Sequence, residues 1–285
     1  MNYRHLYHAG NFADVFKHII LTLLIQALQK KATPFMYLDT HAGIGRYDLT
    51  TALAQKTAEF QQGIVKLWEV SEAPPAVVTY LNLVRQFNQI NQTAPTSKLR
   101  FYPGSPCLVK MLLRETERMI LCELHPGEVQ TLRRVFAQDK QVVIHQQDGY
   151  QALTAYLPPP QKRGLVLIDP PFEQLTEFKE VIVGLTTAYR RWATGIYAVW
   201  YPIKQRAAIK QFYQQLELSP LRQILVAELL IYPDDTSTFG LNGAGLVIVN
   251  PPWQLDEQLQ TLLPWLRQHL AIGHQGSYQI KWFNT

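Results

Sequence analysis

Five apolar runs, each closing on a carboxylate or a proline and separated by stretches of helical periodicity, constrain the fold of this chain most. They are FMYLD (35–39), MILCE (119–123), QVVIHQQD (141–148), GLVLID (164–169) and GIYAVWYP (195–202). Short apolar runs rich in β-branched and aromatic residues read as strands, and residues 127–138, 150–156, 175–192 and 205–217 read as helices. Near-continuous apolar character marks strands covered on both faces, and parallel neighbours need a long crossover between them. The pattern therefore predicts an α/β fold with a mostly parallel sheet. With 285 residues, 47% of them hydrophobic and 17% charged, the chain can bury a sizeable core, which excludes a disordered protein.

The flanks depart from this rhythm. A first helix is predicted from Asn11, a plausible N-cap with Asp14 in the first turn, through Lys30-Lys31; Phe12, Val15, Ile19, Leu23 and Leu24 recur at helical spacing. Residues 47–98 contain no convincing strand. They carry helical patterns at 52–70 and 76–89, broken by Pro74-Pro75, with TAPTS (93–97) as a returning loop. We read 47–98 as a helical insertion in a domain built from 1–46 and 99–285. Further on, ILVAELLIYP (224–233) and GAGLVIVNPP (243–252) are joined without a helix and predict an antiparallel pair closing one edge of the sheet. A helix at 255–270 and a strand at 278–283 follow.

Lys and Arg exceed Asp and Glu by five, and the isoelectric point is near 9.1. That balance suits an anionic partner, although the charges are scattered rather than gathered into a tail. Cys107 and Cys122 are too few for a disulfide framework and form no C-x-x-C pair, so a reducing compartment is expected. The longest apolar stretch, 19–25, is interrupted by Thr22 and falls far short of the ~18 residues of a membrane span. The opening MNYRHLYHAGN has no apolar signal core. A cytoplasmic protein without membrane contact is expected. His5 and His8 are spaced H-x-x-H, but a zinc site needs three or four converging ligands, and no metal is expected.

Ligands of an open parallel sheet bind beyond the carboxyl ends of its strands, so the chemistry should sit where the runs end. The first run continues into THAGIG, where Gly43 and Gly45, spaced G-x-G, let the backbone turn sharply and approach a ligand closely. Position 48 is Asp where a dinucleotide fingerprint has its third glycine, which counts against a bound pyrophosphate. Glu123 can accept hydrogen bonds from both hydroxyls of a ribose. It follows Gly45 by 78 residues, where such an acid usually follows by about 20, an interval the insertion would explain. Asp148-Gly149 and Asp169-Pro170-Pro171-Phe172 come next, one strand–helix repeat apart. Each alone has a bland alternative: a tight turn, a solvated acid, a Pro-Pro strand terminator. The set is more specific than any member.

Asp-Pro-Pro-Phe has a chemistry of its own. Two prolines remove two N–H donors, so with the Asp169 carboxylate they leave a corner rich in acceptors. Such a corner fits an exocyclic –NH2, and Phe172 offers a face on which a planar base can stack. Acceptors on both N–H bonds draw an aryl amine toward a nucleophilic geometry and help remove a proton afterwards. Asn250-Pro251-Pro252-Trp253 has the same shape but follows the second strand of the antiparallel pair, so it should fall at the opposite edge of the sheet and be structural.

The chain resembles the RlmJ family of S-adenosyl-L-methionine-dependent methyltransferases, which modify the exocyclic N6 amine of an adenine in 23S ribosomal RNA. The resemblance is carried by YRHLYHAGNFADVFKH, YLDTHAGIGRY, YPGSP, ELHP, DGY, LIDPPFE, TGIYAVWYP and VIVNPPW, from Tyr3 to Trp253. It implies a Rossmann-like class I methyltransferase whose seven-stranded, mostly parallel sheet has an antiparallel edge strand. It also implies that His18, His41 and Ser105 line the cofactor site beside Gly43 and Gly45, that Glu123 holds the ribose, and that Asp148 and Gly149 contact the cofactor's adenine end. Asp169 would border the cofactor and act as the catalytic acceptor, with Pro170 and Phe172; Tyr3 and Phe172 would meet the RNA. Phe172 stands where tyrosine is common, keeping the ring and losing a hydroxyl. Lys17, Arg46, Arg100 and Arg114 are candidates for a phosphate-binding rim. The partner implied is large-subunit ribosomal RNA, and a monomer is expected. A guanine amine in RNA, an adenine in DNA, a non-catalytic RNA-binding scaffold and a nicotinamide oxidoreductase are the competing readings.

Overall fold

The computed structural model describes residues 4–92, 98–174, 176–233, 240–273 and 275–284. The Asn11 side chain accepts the Asp14 backbone N–H at 2.9 Å and so caps helix α1 (Phe12–Gln29). By length and composition α1 could cross a membrane, yet it is the central helix of the core, with Phe16, Ile19, Ile20, Leu24 and Ile25 fully buried.

Strand β1 (Met36–Asp39) follows, then the short β2 (Arg46–Asp48), which pairs antiparallel with β3 (Phe101–Pro103) in a separate ribbon. Strands this short leave no readable alternation, and neither was expected. Between them the described chain is helical: α2 (Ala52–Thr57), a 3-10 turn (Glu59–Gln62), α3 (Ile64–Trp68) and α4 (Pro75–Ile90). The single helix expected over 52–70 is broken because Ala58 is left-handed and because Gly63 lies against the N-terminal segment. A Cβ at Gly63 would stand 2.1 Å from the Gly10 carbonyl oxygen. The expected TAPTS loop lies outside the described residues.

A helix that was not expected, α5 (Ser105–Lys110), comes next, and the elements after it alternate as their pattern predicts: β4 (Arg118–Cys122), α6 (Pro126–Val135), β5 (Val142–His145), α7 (Gly149–Ala155), β6 (Gly164–Ile168), α8 (Glu177–Arg191), β7 (Ile196–Ile203) and α9 (Arg206–Leu218). After these come β8 (Ile224–Leu230), β9 (Gly243–Val249), α10 (Leu255–Leu270) and β10 (Ser277–Phe283). The main sheet runs β10-β8-β9-β7-β6-β1-β4-β5, and the five strands from β7 to β5 are mutually parallel. Among the described residues the sheet has eight strands where seven were expected; its edge strand, β10, is antiparallel to its neighbour as expected, while the β8–β9 pair expected to close that edge lies inside it. Burial explains both corrections. Strands β8 and β9 are apolar and buried at nearly every position, so neither can face water, whereas SYQIKWF of β10 is mostly exposed and takes the edge.

Pleating divides the core in two. Tyr37, Leu121, Leu167 and Ala198 face α1, which α4, α5 and α10 flank; Leu38, Cys122, Val166 and Val199 face α7, α8 and α9. Asn250 follows Val249, which pairs with Tyr197 near the start of β7, and its amide donates to the carbonyls of Ala193 and Gly195 at 2.8 and 2.7 Å. It lies at the opposite edge from Asp169 and holds the entry to β7.

Candidate active site

The carboxyl ends of β1, β4, β6 and β7 open, beside the N-terminal half of α1, on a cavity of about 490 Å³. This is the place where an open parallel sheet takes a small ligand, and the volume is of the right order for one. Of the residues singled out from sequence, His18, His41, Gly43, Ser105, Glu123, Asp169 and Pro170 line the cavity. Gly45, Asp148, Gly149 and Phe172 do not, and Tyr3 lies outside the described residues.

Asp169 is held by a buried cation. The Lys17 ammonium donates to Asp169 Oδ2 at 2.6 Å and to Asp14 Oδ1 at 2.9 Å, and Asp14 Oδ2 meets His5 Nε2 at 2.9 Å. Asp14 also accepts the Gly10 backbone N–H at 3.0 Å. Burial opposes the charge of Lys17, but Asp14 and Asp169 outweigh it and hold its pKa above the ordinary lysine value. Burial likewise works against the Asp14 carboxylate, yet His5 and Lys17 keep its pKa well below the usual range. Lys17 is therefore no part of a phosphate rim, a correction its position makes plain. Arg46 donates to Asn91 at 2.8 Å, Arg100 to Asp48 at 2.9 Å and Arg114 to Glu117 at 2.7 Å; none of the three lines the cavity.

The glycine turn and the second strand end are built into each other. Gly43, at φ +60°, donates its N–H to Glu123 Oε2 at 2.9 Å, and His125 donates its N–H to Glu123 Oε1 at 2.8 Å. Both oxygens are anchored by backbone donors and each keeps lone pairs for a further hydroxyl. Gly45, at φ +75°, instead packs under α5 and α6: a Cβ there would meet Leu132 at 3.1 Å and the Cys107 sulfur at 3.3 Å. Asp148 caps α7 by accepting the N–H groups of Tyr150 and Gln151, and a Cβ at Gly149 would stand 2.4 Å from the Thr40 carbonyl oxygen. This pair fixes how closely α7 approaches the turn after β1.

Ser105 and Tyr37 both donate to Asp39 Oδ2 at 2.7 Å, and burial raises the Asp39 pKa to about 6 despite these bonds. His41 shares a hydrogen bond with the Thr40 hydroxyl at 2.8 Å, and His18 one with the Tyr102 hydroxyl at 2.9 Å. Burial lowers the pKa of His41 to about 4 and of His18 to about 3, so both stay neutral near pH 7. Phe172 is only 6% exposed; its φ of +48° turns the ring onto Phe178, centroids 4.8 Å apart, in the cluster on the α8–α9 face. In this arrangement it offers the cavity no stacking face.

Sequence reasoning missed Asp14, His5, Glu59 and Trp200, all of which line the cavity. A signal for the first was present: Asp14 and Lys17, one turn apart on a helix otherwise built for burial, had to meet partners inside. Glu59 accepts from the Asn11 amide at 2.9 Å and meets His8 at 2.9 Å, joining the 3-10 turn to the start of α1. Among the described residues no group of three or more His, Cys, Asp or Glu is placed to hold a metal ion.

A mostly parallel sheet that brings a glycine turn, an acid suited to a ribose and an Asp-Pro-Pro corner to one cavity defines an S-adenosylmethionine-dependent methyltransferase of Rossmann-like fold. The family model described as "Ribosomal RNA large subunit methyltransferase D, RlmJ" matches residues 32–284. The chain is 43% identical to "Ribosomal RNA large subunit methyltransferase J" of Escherichia coli (strain K12) and 40% identical to the Haemophilus influenzae protein of the same name, over 99% of this chain and 98% of each relative. Its structure is similar to the crystal structure of protein LPL1258 from Legionella pneumophila, with a TM-score of 0.87, 36% identity and coverage of 98% and 99%. The chain belongs to the RlmJ family of methyltransferases.

Proposed function

We propose that this enzyme transfers a methyl group from S-adenosylmethionine to the exocyclic N6 amine of an adenine in 23S ribosomal RNA. The observation that carries the reading is the Asp169-Pro170-Pro171 corner at the cavity wall, with its carboxylate held by the buried Lys17 ammonium. The donor set suits the cofactor. Glu123 offers anchored oxygens to a ribose diol, the Gly43 turn lets backbone approach, and His41 and Ser105 supply neutral polar groups. His18 lines the same wall, Asp169 borders it, and Asp148 with Gly149 sets the position of α7 behind it. When bound, the cofactor supplies a methyl group on a positively charged sulfonium.

The protein's own residues act on the amine. The Asp169 carboxylate accepts one N–H and the Pro170 carbonyl the other, which draws the nitrogen lone pair out of the ring and toward the methyl carbon. Lys17 holds Asp169 fixed in place, so the acceptor is in position before the base arrives. The amine proton then passes to Asp169 or to water. The same reading places the enzyme in the cytoplasm with ribosomal RNA, acting as a monomer, with no metal and no membrane. In it, 47–98 is an insertion in the 1–46 and 99–285 domain that brings Glu59 and Gln62 to the cavity wall.

Methyl-labelled S-adenosylmethionine, protein-free ribosomal RNA from a strain lacking the gene, and digestion to nucleosides test the reaction. Label in N6-methyladenosine of the large-subunit RNA, abolished in Asp169→Ala, is expected. Label in a methylguanosine would remove the adenine, and no transfer by a protein that still binds cofactor would remove the reaction.

A further inference from the structure

We propose that Trp200 is the ring against which the target base stacks. The inference rests on the adenine reading and adds to it a residue that fixes the base. Ile168 and Val199 are register partners on the parallel strands β6 and β7, so the next residue on each, Asp169 and Trp200, are lateral neighbours. Pleating sends both toward α1, because Leu167 and Ala198, two positions earlier, pack in the core beneath that helix. The Lys17 ammonium confirms the geometry: it is 2.6 Å from Asp169 and 6.0 Å from the centroid of the Trp200 ring. Trp200 lines the cavity together with Pro170, Pro171 and Pro202. A purine that offers its amine to Asp169 therefore has an indole beside it.

Phe172 cannot fill this place, since its ring lies on the α8–α9 face. It meets Trp200 edge-on with centroids 5.9 Å apart, and so supports the indole from below. The indole Nε1 is buried and has no hydrogen-bond partner among the described residues. The core residue Trp192 has the same unpartnered donor, so the case for Trp200 rests on its place at the cavity wall beside Asp169. Cation–π attraction to Lys17 does not explain that place, because at 6.0 Å the ammonium is at the limit of that interaction and already serves two carboxylates.

The test compares wild type with Trp200→Phe and Trp200→Leu on one RNA substrate, with Trp200→Met held in reserve should Leu disturb cofactor binding. Stacking on an aromatic residue predicts a loss of about ten- to a hundredfold in kcat/KM for Leu and recovery to within about fivefold for Phe. Cofactor affinity by calorimetry is expected to be unchanged in every variant. 2-Aminopurine placed at the adenine that the wild type methylates should be quenched on the wild type and on Phe, and bright on Leu. Equal rates for Phe and Leu, or equal fluorescence on all proteins, overturns the assignment while leaving the reaction intact. Failure of the wild type to methylate adenine overturns the reaction, and the assignment with it.

Discussion

Lys17 is a buried cation at the cavity wall. It is 3% exposed, and it neutralises one carboxylate of its own helix and one at the end of β6. Removing one partner of a buried ion pair leaves the other charge uncompensated, so Lys17→Met should lower unfolding free energy by about 3–5 kcal/mol in urea titrations. The variant should also be slow, because Asp169 is then free to move. The buried histidines give a second residue-scale expectation. Their folded pKa values of about 4 for His41 and about 3 for His18 lie below the 6.5 of the unfolded chain. Below pH 6.5 the unfolded chain therefore binds more protons, and stability falls as pH falls, by up to about 1.4 kcal/mol per unit for each histidine. Asp39 opposes them. Raised to about 6 from 3.8, it favours the folded state as pH drops through that window and offsets about one histidine. Urea titrations from pH 7 to pH 4 should show a net loss, nearly abolished in His41→Gln.

At the scale of elements, the caps and close approaches decide where helices begin. Asn11 serves twice, capping α1 through its oxygen and holding Glu59 of the 3-10 turn through its amide. Asn11→Ala should cost about 1–2 kcal/mol by thermal or urea unfolding, more than a cap on an isolated helix. Gly63 breaks a run whose apolar spacing reads as one helix, because backbone packs directly against it. Gly63→Ala should destabilise by about 1–3 kcal/mol and weaken cofactor binding, since the displaced segment carries His8 and Asn11 at the cavity wall. The elements of the sheet were legible because their periodicity is local. The two three-residue strands of the ribbon were not, since nothing in three residues separates a strand from a turn.

For the whole molecule, the excess of five positive charges acts on a polyanion over distances longer than any contact. RNA binding should weaken at least tenfold between roughly 50 and 200 mM salt as phosphate contacts release counterions. Cofactor binding, enclosed among buried groups, should change little over the same range, and calorimetry at two salt concentrations separates the effects. The 3-10 turn at Glu59–Gln62 belongs to this scale as well: it brings Glu59 and Gln62 to a cavity that strand ends, α1 and several other segments line.

The sequence alone determined the alternation of strands and helices, the polar residues that end each strand, the cap on α1 and the family, because each is written within one element or one contiguous motif. Tertiary structure decided the rest. It placed β9 inside the sheet, turned Phe172 away from the cavity, brought Trp200 beside Asp169, and joined Lys17 to a carboxylate 152 residues distant. Periodicity fixes which face of an element is buried. Which side chains then meet depends on strand order and register, and those are set by the competition of all the strands for burial at once.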